Sequence, residues 1–156
     1  MTGRILAELK QTRPFASLGA EALVNLLRTA DTAQRSLAAV LKPHSLSPEQ
    51  YNVLRILRGA GTDGLPCGEI AARMITRDPD MTRLLDRLEA RGLIGRARDT
   101  KDRRVVNTRI QPAGLRLLGR LDGPLAAENE RLVGHLGPKR LRMLVALLEA
   151  VREERS

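Results

Sequence analysis

DPDMTRLLDRLEARGLIGRARDTKDRRVVNTRI, residues 78–110, is the stretch that decides the fold of this chain. It predicts a helix, a glycine stop and a hairpin. Asp78 is a favourable N-cap for a helix over 78–91, and Pro79 suits the first helical position, where no N–H is needed. Apolar residues recur there at helical spacing with polar residues opposite: Met81, Leu84, Leu85 and Leu88 against Thr82, Arg83, Asp86 and Arg87. Gly92 follows, where a left-handed residue commonly ends a helix.

The residues after Gly92 predict two antiparallel strands, 93–98 and 103–110, joined across Asp99-Thr100-Lys101-Asp102. In the second strand Val106, Thr108 and Ile110 alternate with the polar residues Asn107 and Arg109. This period of two is typical of a half-buried strand. A helix suited to a DNA groove followed by a hairpin with a basic tip predicts a winged helix.

The charge of the chain indicates a polyanionic partner. Lys and Arg number 27 against 18 Asp and Glu, a formal net charge of +9. The excess is concentrated in one segment, whose basic residues are Arg91, Arg96, Arg98, Lys101, Arg103, Arg104 and Arg109. DNA phosphates would relieve the repulsion among these cations. The alternative is a solvated surface of an arginine-rich protein, but the preceding amphipathic helix favours nucleic acid.

Length and composition exclude several classes of protein. A chain of 156 residues is expected to form one domain. It has no apolar run of the roughly 18 residues that span a membrane, and no secretory segment at its start. Cys67 is the single cysteine, so we expect no internal disulfide and a cytoplasmic location. Phe15 and Tyr51 are the only aromatic residues, which weighs against stacking on single-stranded bases.

Two further helices are predicted before residue 78. Ser47-Pro48-Glu49-Gln50 has the pattern of a capping box and opens a helix that runs to about Arg58. A glycine-rich loop precedes a short helix over 68–74, and residues 75–77 form the turn into the next helix. This arrangement is a helix-turn-helix whose second helix is the reader.

The two ends of the chain predict long amphipathic helices. Leucines recur at helical spacing over 20–41 and over 113–136, where Gly123-Pro124 predicts a kink, and a last helix follows Gly137-Pro138. These apolar faces either pack within one chain or bury each other in a two-fold dimer. The dimer is preferred because one small winged helix covers little of them. We therefore assign 1–42 and 112–156 to a dimerisation region and 47–111 to the winged helix-turn-helix.

The order of these elements resembles the MarR (multiple antibiotic resistance regulator) family from about residue 20 onward. The most specific matches are TRLLDRLEARGLI and Asp102-Arg103-Arg104, which fits the family's D-x-R wing motif. The resemblance implies a mainly α fold with a small β-hairpin wing and a homodimeric regulator, often a repressor, on pseudo-palindromic duplex DNA. Three features depart from the family's pattern: Pro66-Cys67, Gly123-Pro124 and Asn107.

We expect specific residues to contact DNA. On the helix they are Asp80, Thr82, Arg83 and Arg87; on the wing they are Arg98, Lys101, Arg103 and Arg104. Arg83 is the expected base reader and Arg104 the expected minor-groove contact. Asp102 is expected to orient a neighbouring arginine, because a carboxylate facing phosphates would be repelled.

The resemblance also implies a small phenolic or anionic effector, with His44 and Tyr51 as candidate contacts, although a plain loop histidine is the preferred interpretation of His44. The chain is not expected to be an enzyme or to hold a cofactor. His44, His135 and Cys67 make no recognised zinc spacing, and N-capping explains the Asp78–Asp80 pair without catalysis. Cys67 is interpreted as a small passive residue in preference to a redox sensor. The alternative function is a protein-interaction module whose basic wing binds an acidic partner.

Overall fold

Helices account for most of the chain, and one small sheet lies beside them. The computed structural model describes residues 3–77 and 80–153. The helices in these ranges are α1 (Ile5–Glu8), α2 (Leu18–Leu41), α3 (Pro48–Ala60), α4 (Cys67–Arg73), α5 (Met81–Ala90), α6 (Pro112–Leu132) and α7 (Gly137–Arg152). Short 3₁₀ turns cover Lys42–His44, Gly61–Asp63 and Gly134–Leu136. The strands are β1 (Leu65–Pro66), β2 (Ile94–Arg98) and β3 (Val106–Ile110).

The sheet has three antiparallel strands in the order β1-β3-β2, one more than the sequence predicted. Ile94 pairs with Ile110 at the base of the hairpin, and Leu65 of β1 pairs with Thr108. β1 was missed because two residues are too short to show strand periodicity.

The second strand begins at Val106, so the prediction of a strand from residue 103 was wrong. Arg103 and Arg104 lie in the loop between β2 and β3. Val105 N–H donates to the Asp102 carbonyl at 3.0 Å, and Asp99 N–H donates to the Val105 carbonyl at 2.8 Å. These hydrogen bonds turn the chain back before the pairing of β3 with β2 begins.

The helix-turn-helix has the predicted capping at most of its ends. Ser47 and Gln50 form both bonds of the capping box, although α3 continues to Ala60. Gly92 has the predicted left-handed backbone, with φ of 69°. The predicted cap Asp78-Pro79 lies outside the described residues. The described part of the reading helix begins at Met81 with Asp80 as its N-cap, rather than running over 78–91.

The core joins the helix-turn-helix to the first half of α6. The fully buried side chains include Leu41, Leu54, Leu57, Ile70, Leu85, Leu88, Leu118 and Leu121. Gly114 lets α6 approach the base of the hairpin, because a Cβ there would lie 2.5 Å from the Leu93 carbonyl oxygen. The packing therefore fixes α5 and the hairpin in one unit.

α6 is one continuous helix through Gly123-Pro124, where we predicted a kink, and that kink stays a prediction. Pro124 lacks the N–H that would bond the Arg120 carbonyl, but Leu121 and Leu125 on either side are buried in the core and hold the helix. The helix ends at Leu132, and the residues up to Leu136 form a 3₁₀ turn instead of its last turn.

The helices at both ends leave their apolar faces largely uncovered. Leu41 is the one described residue of α2 that is buried, and none of the described residues of α7 is. The exposed side chains on these helices are Leu18, Leu23 and Leu27 on α2 and Met143, Val145, Leu147 and Val151 on α7.

Candidate nucleic-acid interface

α5 presents a polar face to solvent and an apolar face to the core. Thr82, Arg83 and Arg87 are exposed, whereas Met81, Leu85 and Leu88 are buried, as the helical spacing predicted. Asp80 Oδ1 accepts the Arg83 backbone N–H at 3.1 Å, so this carboxylate caps the first turn. The Arg83 guanidinium therefore projects from a helical turn whose backbone is fixed.

The basic loop of the hairpin is organised by Asp99. Its Oδ1 accepts the backbone N–H groups of Lys101 at 2.7 Å and Asp102 at 3.0 Å, and its Oδ2 accepts Asn107 Nδ2 at 3.0 Å. The two backbone donors, followed by the Asn107 amide and the charge of Lys101, hold the pKa of Asp99 below its ordinary value. Asn107, a departure from the family's pattern, thus ties β3 to the loop.

Asp102 contacts the backbone of a neighbouring arginine, and its expected role of orienting an arginine side chain stays a prediction. Asp102 Oδ1 accepts the Arg104 N–H at 3.0 Å. Arg98 Nη1 donates to the Arg103 carbonyl at 2.7 Å across the hairpin, a contact that the sequence did not indicate. The side chains of Lys101, Arg103 and Arg104 all belong to exposed residues of the loop.

Arg96 connects the wing to the reading helix. From β2 its Nε donates to Glu89 Oε2 at 2.8 Å, its Nη2 donates to the same carboxylate, and Nη2 also reaches Asp86 Oδ1 at 2.6 Å. The hydrogen bonds to Glu89 and then to Asp86 raise the pKa of Arg96. We call this set the Arg96 clamp. It links β2 of the hairpin to the end of α5.

Four of the basic residues that the sequence offered to a polyanion donate hydrogen bonds within the protein: Arg91, Arg96, Arg98 and Arg109. Arg96 forms the clamp, and Arg91 donates to the carbonyls of Ser45 at 2.8 Å and His44 at 3.0 Å. The signal for the clamp was present in the sequence: Asp86 and Glu89 lie three residues apart, on one side of a helix followed by an arginine-rich strand.

The two candidate effector contacts line different cavities, so the structure does not bring them together. His44 lines a cavity of about 390 Å³ with Arg91, Arg116 and Arg120. Tyr51 lines a cavity of about 560 Å³, which we call the Tyr51 cavity. Its walls come from α2, α3, α6 and residues 74–76, and they include Leu37, Ala38, Asn52, Arg55, Met74, Ile75, Leu125 and Asn129.

Other kinds of site receive no support from the described ranges. Within residues 3–77 and 80–153, no group of three His, Cys, Asp or Glu side chains is placed to hold a metal ion. No helix in the same ranges combines the length and the apolar character needed to cross a membrane. Cys67 is exposed at the start of α4.

The capped reading helix and the basic hairpin clamped to it define a winged-helix DNA-binding protein. The MarR family profile matches residues 46–106. The crystal structure of a MarR transcription factor from Planctomyces limnophilus is 40% identical, with a TM-score of 0.67, and the match covers 87% of this chain and 98% of that one. This chain belongs to the MarR family of winged-helix transcriptional regulators, which are not enzymes.

Two other comparisons support the same class. The HTH-type transcriptional regulator TtmR of Methylorubrum extorquens is 38% identical over 88 residues, which are 56% of this chain and 44% of TtmR. The chain thus spans less than half the length of that curated relative. The crystal structure of the MepR–DNA complex from S. aureus is 25% identical with a TM-score of 0.73, and covers 81% of this chain and 93% of that one.

Proposed function

We propose that this protein is a homodimeric repressor that binds pseudo-palindromic double-stranded DNA in the cytoplasm and releases it when a small effector binds. The observation that carries the proposal is the Arg96 clamp, which holds the exposed face of α5 at a fixed angle to the basic loop. A helix in the major groove and a loop over the adjacent backbone require such a fixed angle.

Each DNA contact has a distinct role in this proposal. Arg83 reads a guanine through two hydrogen bonds, with Thr82 and Arg87 beside it. Asp80 holds the first turn of α5 in place. Arg104 enters the minor groove, where a narrow A·T-rich duplex concentrates negative potential. Arg98, Lys101 and Arg103 contact phosphates, and the MepR–DNA complex supports this use of the fold.

The dimer buries the apolar faces of the terminal helices. Exposed leucines on α2 and exposed apolar residues on α7 support this, because contiguous exposed patches of this kind mark protein interfaces. Residues 1–42 and 112–156 form this region, and 47–111 form the reading unit. Two copies related by a two-fold axis place two α5 helices on two half-sites of one operator.

The Tyr51 cavity is the effector site. It lies between the dimerisation helices and the helix-turn-helix, and it touches residues 74–76 just before the reading helix. Leu37, Met74 and Leu125 suit an aromatic ring, and Arg55 suits an anionic group. A phenolic carboxylate combines both features and is the class that we assign.

The function is tested by selecting bound sequences from a random pool of duplexes. We expect a pseudo-palindromic sequence with half-sites about one helical turn apart, a protected footprint over it, and affinity that falls steeply with salt. The matched control is a duplex of the same length with the selected half-sites scrambled, which should bind weakly and show no footprint. Weak binding without a footprint would support the alternative, a wing that binds an acidic protein.

A further inference from the structure

Asn52 is a buried polar residue of α3. Among the described residues, only the oxygen of its side-chain amide is hydrogen-bonded. The residue is 4% exposed and lines the Tyr51 cavity. Its Oδ1 accepts the Ile75 backbone N–H at 2.8 Å. Because a backbone N–H can only donate, the oxygen of the amide must face Ile75, and this fixes the position of the nitrogen.

The nitrogen of the same amide is buried without a hydrogen-bond partner among residues 3–77 and 80–153. Buried polar atoms in native proteins are nearly always paired, so an unpaired donor needs an explanation. Asn52 also belongs to the wall of a cavity large enough for a small aromatic molecule. An oxygen atom of a bound molecule would satisfy the donor once a small movement of the cavity wall brings the buried nitrogen to the cavity surface.

The Ile75 N–H, which is bound to the amide oxygen of Asn52, belongs to the turn before the reading helix. Ile75 follows Met74, which ends α4, and residues 75–77 lead toward α5. Ile75 is 77% exposed, so packing of its side chain contributes little to holding the turn. The hydrogen bond to Asn52 is therefore an important restraint on this segment.

We propose that Asn52 is the positioning residue that couples the Tyr51 cavity to the reading helix, by donating from Nδ2 to an oxygen of the effector while Oδ1 holds Ile75. This inference rests on the proposed function of the cavity as the effector site. An effector that pulls the amide toward itself alters the geometry at Ile75. Because coupling is reciprocal, DNA and effector then weaken each other's binding by the same factor.

The decisive variant is Asn52→Asp in the full-length protein, with 4-hydroxybenzoate as the effector probe. Aspartate keeps an oxygen for the Ile75 N–H but has no donor for the effector, and its charge repels a carboxylate. We expect DNA affinity without probe to stay within about threefold of wild type, and probe affinity to fall by about tenfold or more. Calorimetry measures the affinity for the probe. DNA titrations with and without the probe measure the affinity for DNA.

Two further variants separate this role from general effects. Gln11→Glu makes the same change from amide to carboxylate at an exposed position outside the cavity and should keep the probe response. Asn52→Leu has a similar volume and no buried charge, so it serves if the aspartate variant does not fold. It removes both hydrogen bonds, and we expect it to lose the probe response and also to bind DNA more weakly.

The outcomes are distinguishable. Loss of the response in both Asn52 variants but not in Gln11→Glu supports the coupling role. An unchanged response in Asn52→Asp, or in Asn52→Leu if that variant alone folds, overturns it. An equal loss in Gln11→Glu also overturns it, since the added negative charge on the protein would then be the cause. If the probe does not bind wild-type protein at all, the proposed phenolic-carboxylate effector site fails, and the coupling role fails with it.

Discussion

At the scale of single residues, Arg83 combines a fixed backbone with a side chain exposed to solvent. Its N–H is bound by the Asp80 cap, while its guanidinium projects from the outer face of α5. A fixed starting point reduces the conformational entropy that is lost when the guanidinium pairs with a base. This is the arrangement expected of a residue that distinguishes one base pair from another.

Replacing Arg83 by alanine should therefore alter specificity as well as affinity. We expect Arg83→Ala to weaken operator binding by about 1–3 kcal/mol and to relax the preference at one symmetric pair of positions. Sequence selection with the variant measures both. Lys101→Ala, which removes a proposed phosphate contact, should instead weaken binding to all sequences alike. It should also reduce the slope of log affinity against log salt concentration by about one. An unchanged set of selected sequences for Arg83→Ala would remove its reading role.

Asp99 gives the wing a defined dependence on pH. Its folded pKa lies below the ordinary aspartate value of 3.8, so its ionised form stabilises the loop above that value. This contribution is lost as the pH falls through the folded pKa. We expect the amide proton signals of Lys101 and Asp102 to be constant from neutral pH down to about pH 5 and to move only in stronger acid. Movement near pH 6 would contradict this assignment.

At the scale of elements, the Arg96 clamp offers a test that separates geometry from charge. Glu89→Gln removes a negative charge near the proposed DNA surface, so simple electrostatics predicts tighter binding. The same change weakens the clamp, and we expect severalfold weaker binding to the operator because the angle between α5 and the hairpin is less well fixed. DNA titration at two salt concentrations measures the effect. Glu8→Gln, outside the interface, is the control for the change in net charge, and tighter binding by Glu89→Gln would contradict the geometric role.

The elements that the sequence predicted well are those whose signals are local. The capping box at Ser47, the stripe of Leu85 and Leu88, and the left-handed Gly92 each depend on a few neighbouring residues. The reading helix and the basic loop could thus be located from the order of residues alone. The roles given to individual DNA and effector contacts stay predictions.

The features that the sequence did not reveal depend on residues far apart in the chain. β1 becomes a strand because β3 pairs with it, and Pro124 stays helical because the residues beside it are buried. Arg96 is a different case: it was grouped with the cations available to DNA, although the spacing of Asp86 and Glu89 on the preceding helix offered it two carboxylates. Asn52 carried no sequence signal, because its importance comes from the position of Ile75.

At the scale of the whole molecule, the proposed dimer makes the terminal helices the determinant of assembly. Leu144 lies on α7 and is partly buried within the chain. We expect Leu144→Asp to weaken the dimer by several kcal/mol, because an unpaired charge would enter an apolar interface. Sedimentation at micromolar concentration measures the change. Thr62→Asp, an exposed substitution in the reading unit, should leave the dimer intact, and a monomeric wild-type protein would rule out this architecture.

The pairing of β1 with β3 also affects how the protein folds. Leu65 and Thr108 close a loop of roughly forty residues that contains both helices of the helix-turn-helix. Closing that loop costs chain entropy that the strand pairing must offset, so we expect the loop to become ordered as one unit. A fragment that starts after Pro66 would lack the closing strand. The reading helix is therefore expected to exchange its amide protons together with the sheet, as one unit of local unfolding.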